Sequence, residues 1–225
     1  MKELKDYLYY HEDNPSIDIY LGDCAEIMKL IPNCHMILSD PPYGINFNTK
    51  GKSSGRGNLC EAVDYEPVHG DNQPFDPSLC LAHPTMVKIL FGANHYADKL
   101  PSSPSWIIWD KRDGLSSNDF ADCELAWSDD GRPCRIFRNM WSGMLKASEK
   151  NMKRVHPTQK PIKLMKWCLQ EYGNKDYLVL DPYMGSGTTL IACKELNTSA
   201  IGIEISEAYC EIAKKRLMNT QVPFL

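Results

Sequence analysis

The sequence predicts an α/β fold in which a mostly parallel, twisted sheet carries helices on both faces. Short apolar runs that end in Gly, Pro or Asp alternate with segments of helical periodicity. The last third reads strand, glycine turn, helix, strand and helix, the order of a nucleotide-binding half-fold. With 225 residues, of which 43% are hydrophobic, the chain fits one domain over residues 1–225.

The first two predicted strands each end beside an acidic residue. Residues 17–21 alternate apolar and polar side chains and end at Gly22-Asp23, before a predicted helix from Ala25 to Leu30. The apolar run 35–38 leads into Ser39-Asp40-Pro41-Pro42-Tyr43-Gly44. Ligands bind at the carboxyl ends of strands in such sheets, so we expect both acids to face a pocket. A plain helix N-cap is the alternative for Asp23.

Two insertions interrupt the predicted sheet. Residues 48–76 begin with a run rich in Gly, Ser and basic residues and are expected to form a mobile loop that closes over a substrate. The alternative is a tolerated surface insertion. Residues 129–155 form the second insertion, a candidate recognition segment. Between the two insertions, a strand or helix end is predicted over residues 86–91, and strands over 106–110 and 123–127.

The last third supplies the clearest pattern. Pro161 begins a helix that continues to about Leu169, because proline is favoured in a first turn. Strand 176–180 then leads into the turn Asp181-Pro-Tyr-Met-Gly185-Ser-Gly187-Thr-Thr and a helix over residues 188–196. Strand 200–203 ends at Glu204, and Ser206 caps the final helix.

Charge is distributed unevenly along the chain. The formal net charge is −4, yet residues 132–166 hold ten Lys or Arg and one acid, Glu149. Residues 46–60 add three basic residues and no acid. An acidic body with two basic segments could meet a polyanion on one face, whereas a solvated basic helix and loop is the alternative.

Composition argues against several classes of protein. No apolar run reaches the length of a bilayer span, and the first residues lack the apolar centre of a signal peptide, so we expect a cytoplasmic protein. The nine cysteines include no C-x-x-C pair, so we expect reduced thiols and no metal site.

The glycine turn indicates which cofactor the half-fold takes. Its G-x-G spacing lacks the third glycine of the dinucleotide fingerprint. Asp181 before the turn would repel a diphosphate but could receive the ammonium of an amino acid, while Glu204 could accept both hydroxyls of a ribose. These features favour S-adenosylmethionine. They count against the alternative, an NAD-dependent oxidoreductase.

Three motifs together resemble those of the amino-methylating DNA methyltransferases. They are Ser-Asp-Pro-Pro-Tyr at 39–43, His-Pro-Thr-Gln-Lys-Pro at 156–161 and the turn at 181–189. Their order resembles the β group of that family, a circular permutation, and the resemblance covers about residues 17–217. It implies a Rossmann-like methyltransferase fold. Tyr183 departs from the pattern, since the family often has Phe there.

The resemblance also implies roles for individual cofactor-binding residues. Glu204 would hold the ribose of S-adenosylmethionine, and Asp23 would hold the adenine amino group. Thr158 and Lys160 would reach the carboxylate of the cofactor. The residues expected to hold its methionine part are Asp181, Gly185, Gly187 and Thr188. Tyr183 is a further candidate cofactor-binding residue, with an aromatic packing role.

The implied chemistry is methyl transfer to an exocyclic amine of a base turned out of the duplex. Asp40 and the carbonyl of Pro41, held rigid by Pro42, would accept hydrogen bonds from the amine, and Tyr43 would stack on the base. Asp at position 40 favours N6 of adenine. Cytosine N4 is the first alternative, and a catalytically silent nucleic-acid-binding module is an alternative from another class.

The predicted partner is double-stranded DNA. Between Arg135 and Trp141, aromatic side chains alternate with cationic ones, which suits contacts to phosphates and bases. A homodimer and a cognate restriction enzyme are left open as partners. The candidate DNA-binding residues are Lys50, Lys52, Arg56, Arg135, Arg138 and Lys146.

Overall fold

The computed structural model describes residues 2–47, 68–115, 117, 121–142, 145–146, 148–149, 156 and 158–222. Nine of its strands form one sheet in the order β1-β2-β11-β10-β3-β4-β6-β5-β7. These strands are β1 (Leu8–Asp13), β2 (Ser16–Leu21), β3 (Met36–Ser39), β4 (Val87–Phe91), β5 (Trp106–Asp110), β6 (Cys123–Ser128), β7 (Arg135–Arg138), β10 (Leu178–Asp181) and β11 (Ser199–Glu204). A separate pair comprises β8 (Trp141–Ser142) and β9 (Leu145–Lys146).

The predicted parallel sheet is confirmed, with two strands that run the other way. Neighbouring strands from β2 to β4 are all parallel. Strand β6 is antiparallel to both β4 and β5, and β7 is parallel to β5. Strand β1 is antiparallel to β2 at one edge and was not predicted. Its sequence, Leu-Tyr-Tyr-His-Glu-Asp, lacks the alternation of apolar and polar residues that predicts a strand, because all of its side chains are exposed or half-buried.

Helices cover both faces of the sheet. The helices are α1 (Cys24–Ile27), α2 (Ser78–Ala82), α3 (Ile162–Tyr172), α4 (Thr188–Glu195) and α5 (Glu207–Met218). Successive residues of a strand point to opposite faces, and β3 shows this directly. Met36 and Leu38 pack in the core with α3, α4 and α5, whereas Ile37 packs in a second core with α1 and α2.

Parallel strands bring several chain segments to one edge of the sheet. The carboxyl end of β2 leads to Gly22, that of β3 to Asp40, and that of β4 to Gly92. Strands β10 and β11 end on Asp181 and Glu204 at the same edge. The fold therefore gathers the motifs that lie far apart in the sequence.

Only the last part of the first predicted insertion, residues 48–76, lies among the described residues. Residues 48–67 lie outside the described residues, but residues 68–76 carry the buried side chains of Asp71 and Phe75. That end of the insertion is packed against the body of the protein. In the described part of the chain, no helix has the length and apolar character that a bilayer span requires.

We predict that Gly202→Ala destabilises the fold by about 1–3 kcal/mol through overpacking. A Cβ at Gly202 in β11 would lie 2.5 Å from Met184 Sδ and 2.8 Å from a methyl carbon of Leu190, and both side chains are buried. Urea unfolding measures the change. Ser16→Ala is the control, because Ser16 is an exposed strand residue on β2 and the change adds no atom to the core. A loss at Gly202 no larger than at Ser16 would contradict the packing argument.

Candidate active site

A cavity opens at the edge where the parallel strands end. Its volume is about 230 Å³. One wall is the Asp40–Tyr43 segment after β3, and the opposite wall is the 181–189 turn between β10 and α4. Every predicted catalytic residue lines it, and so do all but one of the predicted cofactor-binding residues, Gly187 being the exception.

A buried hydrogen bond joins the two walls. Ser39 Oγ donates to Asp181 Oδ1 at 2.6 Å, and the backbone N–H of Tyr183 donates to the same oxygen at 3.2 Å. Burial raises the pKa of Asp181 to about 6, against the lowering effect of the Ser39 hydrogen bond. The Asp181 carboxyl group therefore titrates close to neutral pH.

Both oxygens of Asp40 already have partners within the protein. Tyr43 donates its hydroxyl to Asp40 Oδ1, and Lys160 Nζ lies 2.5 Å from Asp40 Oδ2. Lys160 Nζ also donates to the hydroxyl oxygen of Tyr43 at 3.0 Å. Burial raises the pKa of Asp40, and the ammonium of Lys160 opposes that rise. An ionised carboxylate offers about four lone-pair sites, so Asp40 retains acceptor capacity toward the cavity.

Lys160 lines the cavity between two carboxylates. Its ammonium is 4% exposed and lies 3.1 Å from Glu124 as well as 2.5 Å from Asp40. Burial alone would lower the pKa of Lys160, but the two carboxylates outweigh it and the pKa is raised. Reaching a cofactor carboxylate would require Lys160 to give up one of its contacts, because an ammonium has three N–H donors.

The ring of Tyr43 is fixed by a glycine and a histidine. Gly92 has φ +68°, and a Cβ there would lie 1.9 Å from Tyr43 Cε1, so no other residue fits. The imidazole of His95 stacks on the Tyr43 ring at 5.1 Å between ring centroids. Burial raises the pKa of the Tyr43 phenol well above its usual range, which keeps its proton in place for Asp40.

Asp71 holds the backbone that follows the Pro-Pro pair. Its carboxylate accepts hydrogen bonds from the N–H groups of Tyr43, Gly44 and Phe47 at 3.0, 2.9 and 2.7 Å. The side chain is 5% exposed. Asp71 was not among the predicted site residues, since nothing in the polar stretch around it indicates a partner far away.

The two glycines of the turn serve different contacts. The N–H of Gly185 donates to Glu204 Oε2 at 3.0 Å, and the N–H of Ser206 donates to Glu204 Oε1 at 2.8 Å. Burial raises the pKa of Glu204. Gly187 has φ +78°, and a Cβ there would lie 2.8 Å from Ala213 Cβ. Gly187 is thus required where the turn packs on α5.

Arg216 of α5 also contacts the 181–189 turn. Its guanidinium donates to the carbonyl oxygen of Ser186 at 2.5 Å and to the hydroxyl of Thr188 at 3.3 Å. Burial lowers the pKa of Arg216 to about 10, which leaves it protonated at neutral pH. The turn is therefore held by a cation as well as by its glycines.

The remaining predicted cofactor-binding residues lie at the cavity rim. Asp23 accepts a hydrogen bond of 2.8 Å from the N–H of Ala25 and caps α1, so it is an N-cap that also lines the cavity. Thr158 contacts His156, whose pKa burial lowers to about 4. The Tyr183 ring packs edge-on against Phe75 at 5.5 Å.

The predicted DNA-binding residues fall in different parts of the chain. Arg135 and Arg138 project from β7 at the edge of the sheet, and Arg138 Nε lies 3.5 Å from Asp110. The aromatic residues interleaved with these arginines are buried. Phe137 of β7 and Trp141 of β8 both pack in the core. Lys50, Lys52 and Arg56 lie outside the described residues, and of Lys146 the structure describes the backbone in β9.

Known DNA methyltransferases are similar to this chain. The model of the DNA methylase family, covering N6 and N4 enzymes, matches residues 104–215, about half of the chain. The type II methyltransferase M.HpaI of Haemophilus parainfluenzae is 48% identical over 65 residues, which are 29% of this chain and 21% of that protein. M2.LlaDCHI of Lactococcus lactis subsp. cremoris is 32% identical over 116 residues, 51% of this chain. The chain spans less than half the length of both relatives.

Solved structures extend the similarity to nearly the whole chain. The M1.HpyAVI–SAM complex superposes with a TM-score of 0.55 and 26% identity over 89% of this chain and 100% of that one. The cytosine-N4-specific PvuII DNA methyltransferase has a TM-score of 0.60 at 14% identity, over 92% of this chain and 88% of that one, and supports the fold alone. By motif order, fold and sequence match, the chain belongs to the N6/N4 class of DNA methylases and has the Rossmann-like methyltransferase fold.

Proposed function

We propose that this protein transfers a methyl group from S-adenosylmethionine to N6 of an adenine turned out of duplex DNA. The observation that carries the proposal is that the Asp40 wall and the Asp181 wall line the same cavity and are joined by the Ser39–Asp181 hydrogen bond of 2.6 Å. The relatives' names support the reaction class. The order of the motifs supports assignment to the β group.

The donor set of the second wall fits the cofactor. The Asp181 carboxyl group, 3% exposed, offers an acceptor for an ammonium in a site of low dielectric. Glu204 ends β11, and its oxygens retain lone pairs for ribose hydroxyls after their two backbone contacts. When bound, S-adenosylmethionine supplies an electrophilic methyl group on a sulfonium. Asp23, at the rim, is assigned to the adenine amino group.

On the first wall, Asp40 and the carbonyl of Pro41 are assigned to the amine of the target base. An exocyclic amine is a weak nucleophile because its lone pair is delocalised into the ring. Two acceptors aimed at its N–H groups favour a tetrahedral nitrogen and stabilise the positive charge that develops there. Tyr43, whose ring contacts Gly92 and His95, is assigned to stack on the base.

We predict that Asp40→Ala lowers methyl transfer at least about a hundredfold, since it removes an acceptor from the developing charge. Transfer of labelled methyl groups to duplex DNA measures the rate. Asp13→Ala, which alters a carboxylate 86% exposed on β1, is the matched control. Binding of S-adenosylmethionine should change little in Asp40→Ala, which shows that the variant is folded. The unfolding midpoint should fall, because the buried ammonium of Lys160 loses one of its two carboxylate partners. Full activity in that variant would refute the mechanism.

The identity of the methylated base decides among the alternatives. Digestion of the product DNA should yield N6-methyladenine. N4-methylcytosine would replace the adenine assignment with the cytosine one while leaving the role of Asp40 intact. An absence of transfer by the wild-type protein, with DNA binding retained, would favour the catalytically silent module.

We predict that the affinity for S-adenosylmethionine falls as pH drops below about 6. The ionised Asp181 receives the cofactor's ammonium, and its pKa of about 6 places its protonation in this range. Binding linked to one proton loses up to about tenfold per pH unit below the pKa. Calorimetric titration between pH 5 and 8 measures it.

Two variants test the assignment of that inflection to Asp181. Asp181→Asn should bind weakly and show no inflection near pH 6. Ser39→Ala removes a hydrogen bond that lowers the pKa of Asp181, so its inflection should move to higher pH. An inflection that survives in Asp181→Asn would point to another carboxyl group, such as Glu204.

We predict that the double change Arg135→Gln/Arg138→Gln weakens DNA binding and lowers the slope of log K against log salt by roughly 2. Both arginines are exposed on β7, and each is proposed to meet a phosphate. The control Lys214→Gln/Lys215→Gln removes the same charge from α5, where Glu211 pairs with both lysines. Equal slopes in the two double variants would remove β7 from the proposed interface.

A further inference from the structure

The ammonium of Lys160 also contacts a carboxylate that does not line the cavity. Glu124 lies on β6 and does not line the cavity. It is 3.1 Å from Lys160 Nζ and accepts a hydrogen bond of 3.0 Å from Lys111 Nζ. Four side chains thus form a row of alternating charge from the cavity wall to the end of β5, in the order Asp40, Lys160, Glu124 and Lys111.

We propose that Glu124 is a positioning residue for Asp40, acting through the ammonium of Lys160 that the two carboxylates share. The inference rests on the proposed methyl transfer. If Lys160 paired with Asp40 alone, the positive charge of the ammonium would make Asp40 less basic. Because the negative charge of Glu124 offsets part of that positive charge, Asp40 remains a stronger hydrogen-bond acceptor for the amine of the base.

Glu124 is suited to this role by its surroundings. Burial works against its ionisation, but Lys160 and Lys111 outweigh it and lower the pKa of Glu124, so the carboxylate is charged. Its negative charge adds to the effect of burial in raising the pKa of Asp40. Among the described residues, ionisable groups that also interact with Asp40 include Lys160, Tyr43, Tyr96 and Asp181.

The test is the pH dependence of methyl transfer in Glu124→Gln, which keeps the size of the side chain and removes its charge. We expect kcat to fall about tenfold, because a less basic Asp40 is a weaker acceptor. The KM for S-adenosylmethionine should stay within about twofold. The acid limb of the kcat profile should move to lower pH, because the pKa of Asp40 falls when the neighbouring negative charge is removed.

A matched ion pair elsewhere separates this role from a structural one. Glu12 on β1 pairs with Lys194 at 2.7 Å, both side chains are largely buried, and neither lines the cavity. Glu12→Gln should therefore leave the acid limb where it is in the wild type. Equal pH profiles in Glu124→Gln, Glu12→Gln and the wild type would overturn the proposal.

Lys111→Gln gives a second test with the opposite sign. Without Lys111, the charge of Glu124 is less neutralised, so the pKa of Asp40 should rise and the acid limb should move to higher pH. This variant remains informative if Glu124→Gln does not fold. A shift of the limb to lower pH in Lys111→Gln would overturn the proposal.

A direct titration of Asp40 keeps the inference separate from the proposed function. In protein labelled with ¹³C at the aspartate carboxyl carbon, the Asp40 signal is assigned by its loss in Asp40→Asn. It should titrate at lower pH in Glu124→Gln than in the wild type. A wild-type protein without methyl transfer would refute the proposed function alone, and this titration would still decide the role of Glu124. An unmoved Asp40 titration in an active enzyme would refute the Glu124 proposal alone.

Discussion

The hydrogen bond from Ser39 to Asp181 is the contact on which the geometry of the cavity depends. It joins residues 142 apart in the sequence at the ends of two adjacent parallel strands, β3 and β10. These strands pair at two positions, and their carboxyl ends lead into the Asp40 wall and the 181–189 turn. Because Ser39 is fully buried and Asp181 nearly so, the bond fixes the spacing of the two walls. In the proposed reaction, that spacing separates the methyl donor from the amine that receives it.

Sequence patterns predicted the parts of the fold and site that depend on neighbouring residues. The ends of β3, β10 and β11, the glycine turn and the helix that follows Pro161 are local features, and each lies where it was expected. The contact of Lys160 with Asp40 crosses 120 residues, and the bonds from Asp71 to the chain after Pro42 cross 24 to 28. No periodicity records which acid meets which base at such separations. The Arg and aromatic residues between Arg135 and Trp141 were interpreted as one surface. Arg135 and Arg138 lie three residues apart on β7, so they point to opposite faces of the strand, and Phe137 between them is buried.

The acids of the cavity give it a preference for a cation. Burial raises the pKa of Asp40, Asp181 and Glu204, so each carboxylate is more costly to ionise there than in water. Lys160 offsets this cost for Asp40. Asp181 has a hydroxyl and an N–H as partners, and Glu204 has backbone N–H groups. A ligand with a sulfonium and an ammonium would supply the missing positive charge. Its binding would stabilise the folded protein, since the unfolded chain has no such site.

In the proposed reaction, the contacts of Tyr43 would prepare the site before a base arrives. Its ring lies against Gly92 and His95, and its hydroxyl is held by Asp40 and Lys160. A stacking partner that is already fixed loses little conformational freedom when the base binds, so more of the stacking energy is retained. The glycine is essential to this arrangement, because any Cβ at position 92 would overlap the ring. The position of the stacking ring thus depends on the turn after β4 as well as on the Asp-Pro-Pro-Tyr segment. In the proposed reaction, changes in that turn should therefore weaken binding of the target base more than binding of the cofactor.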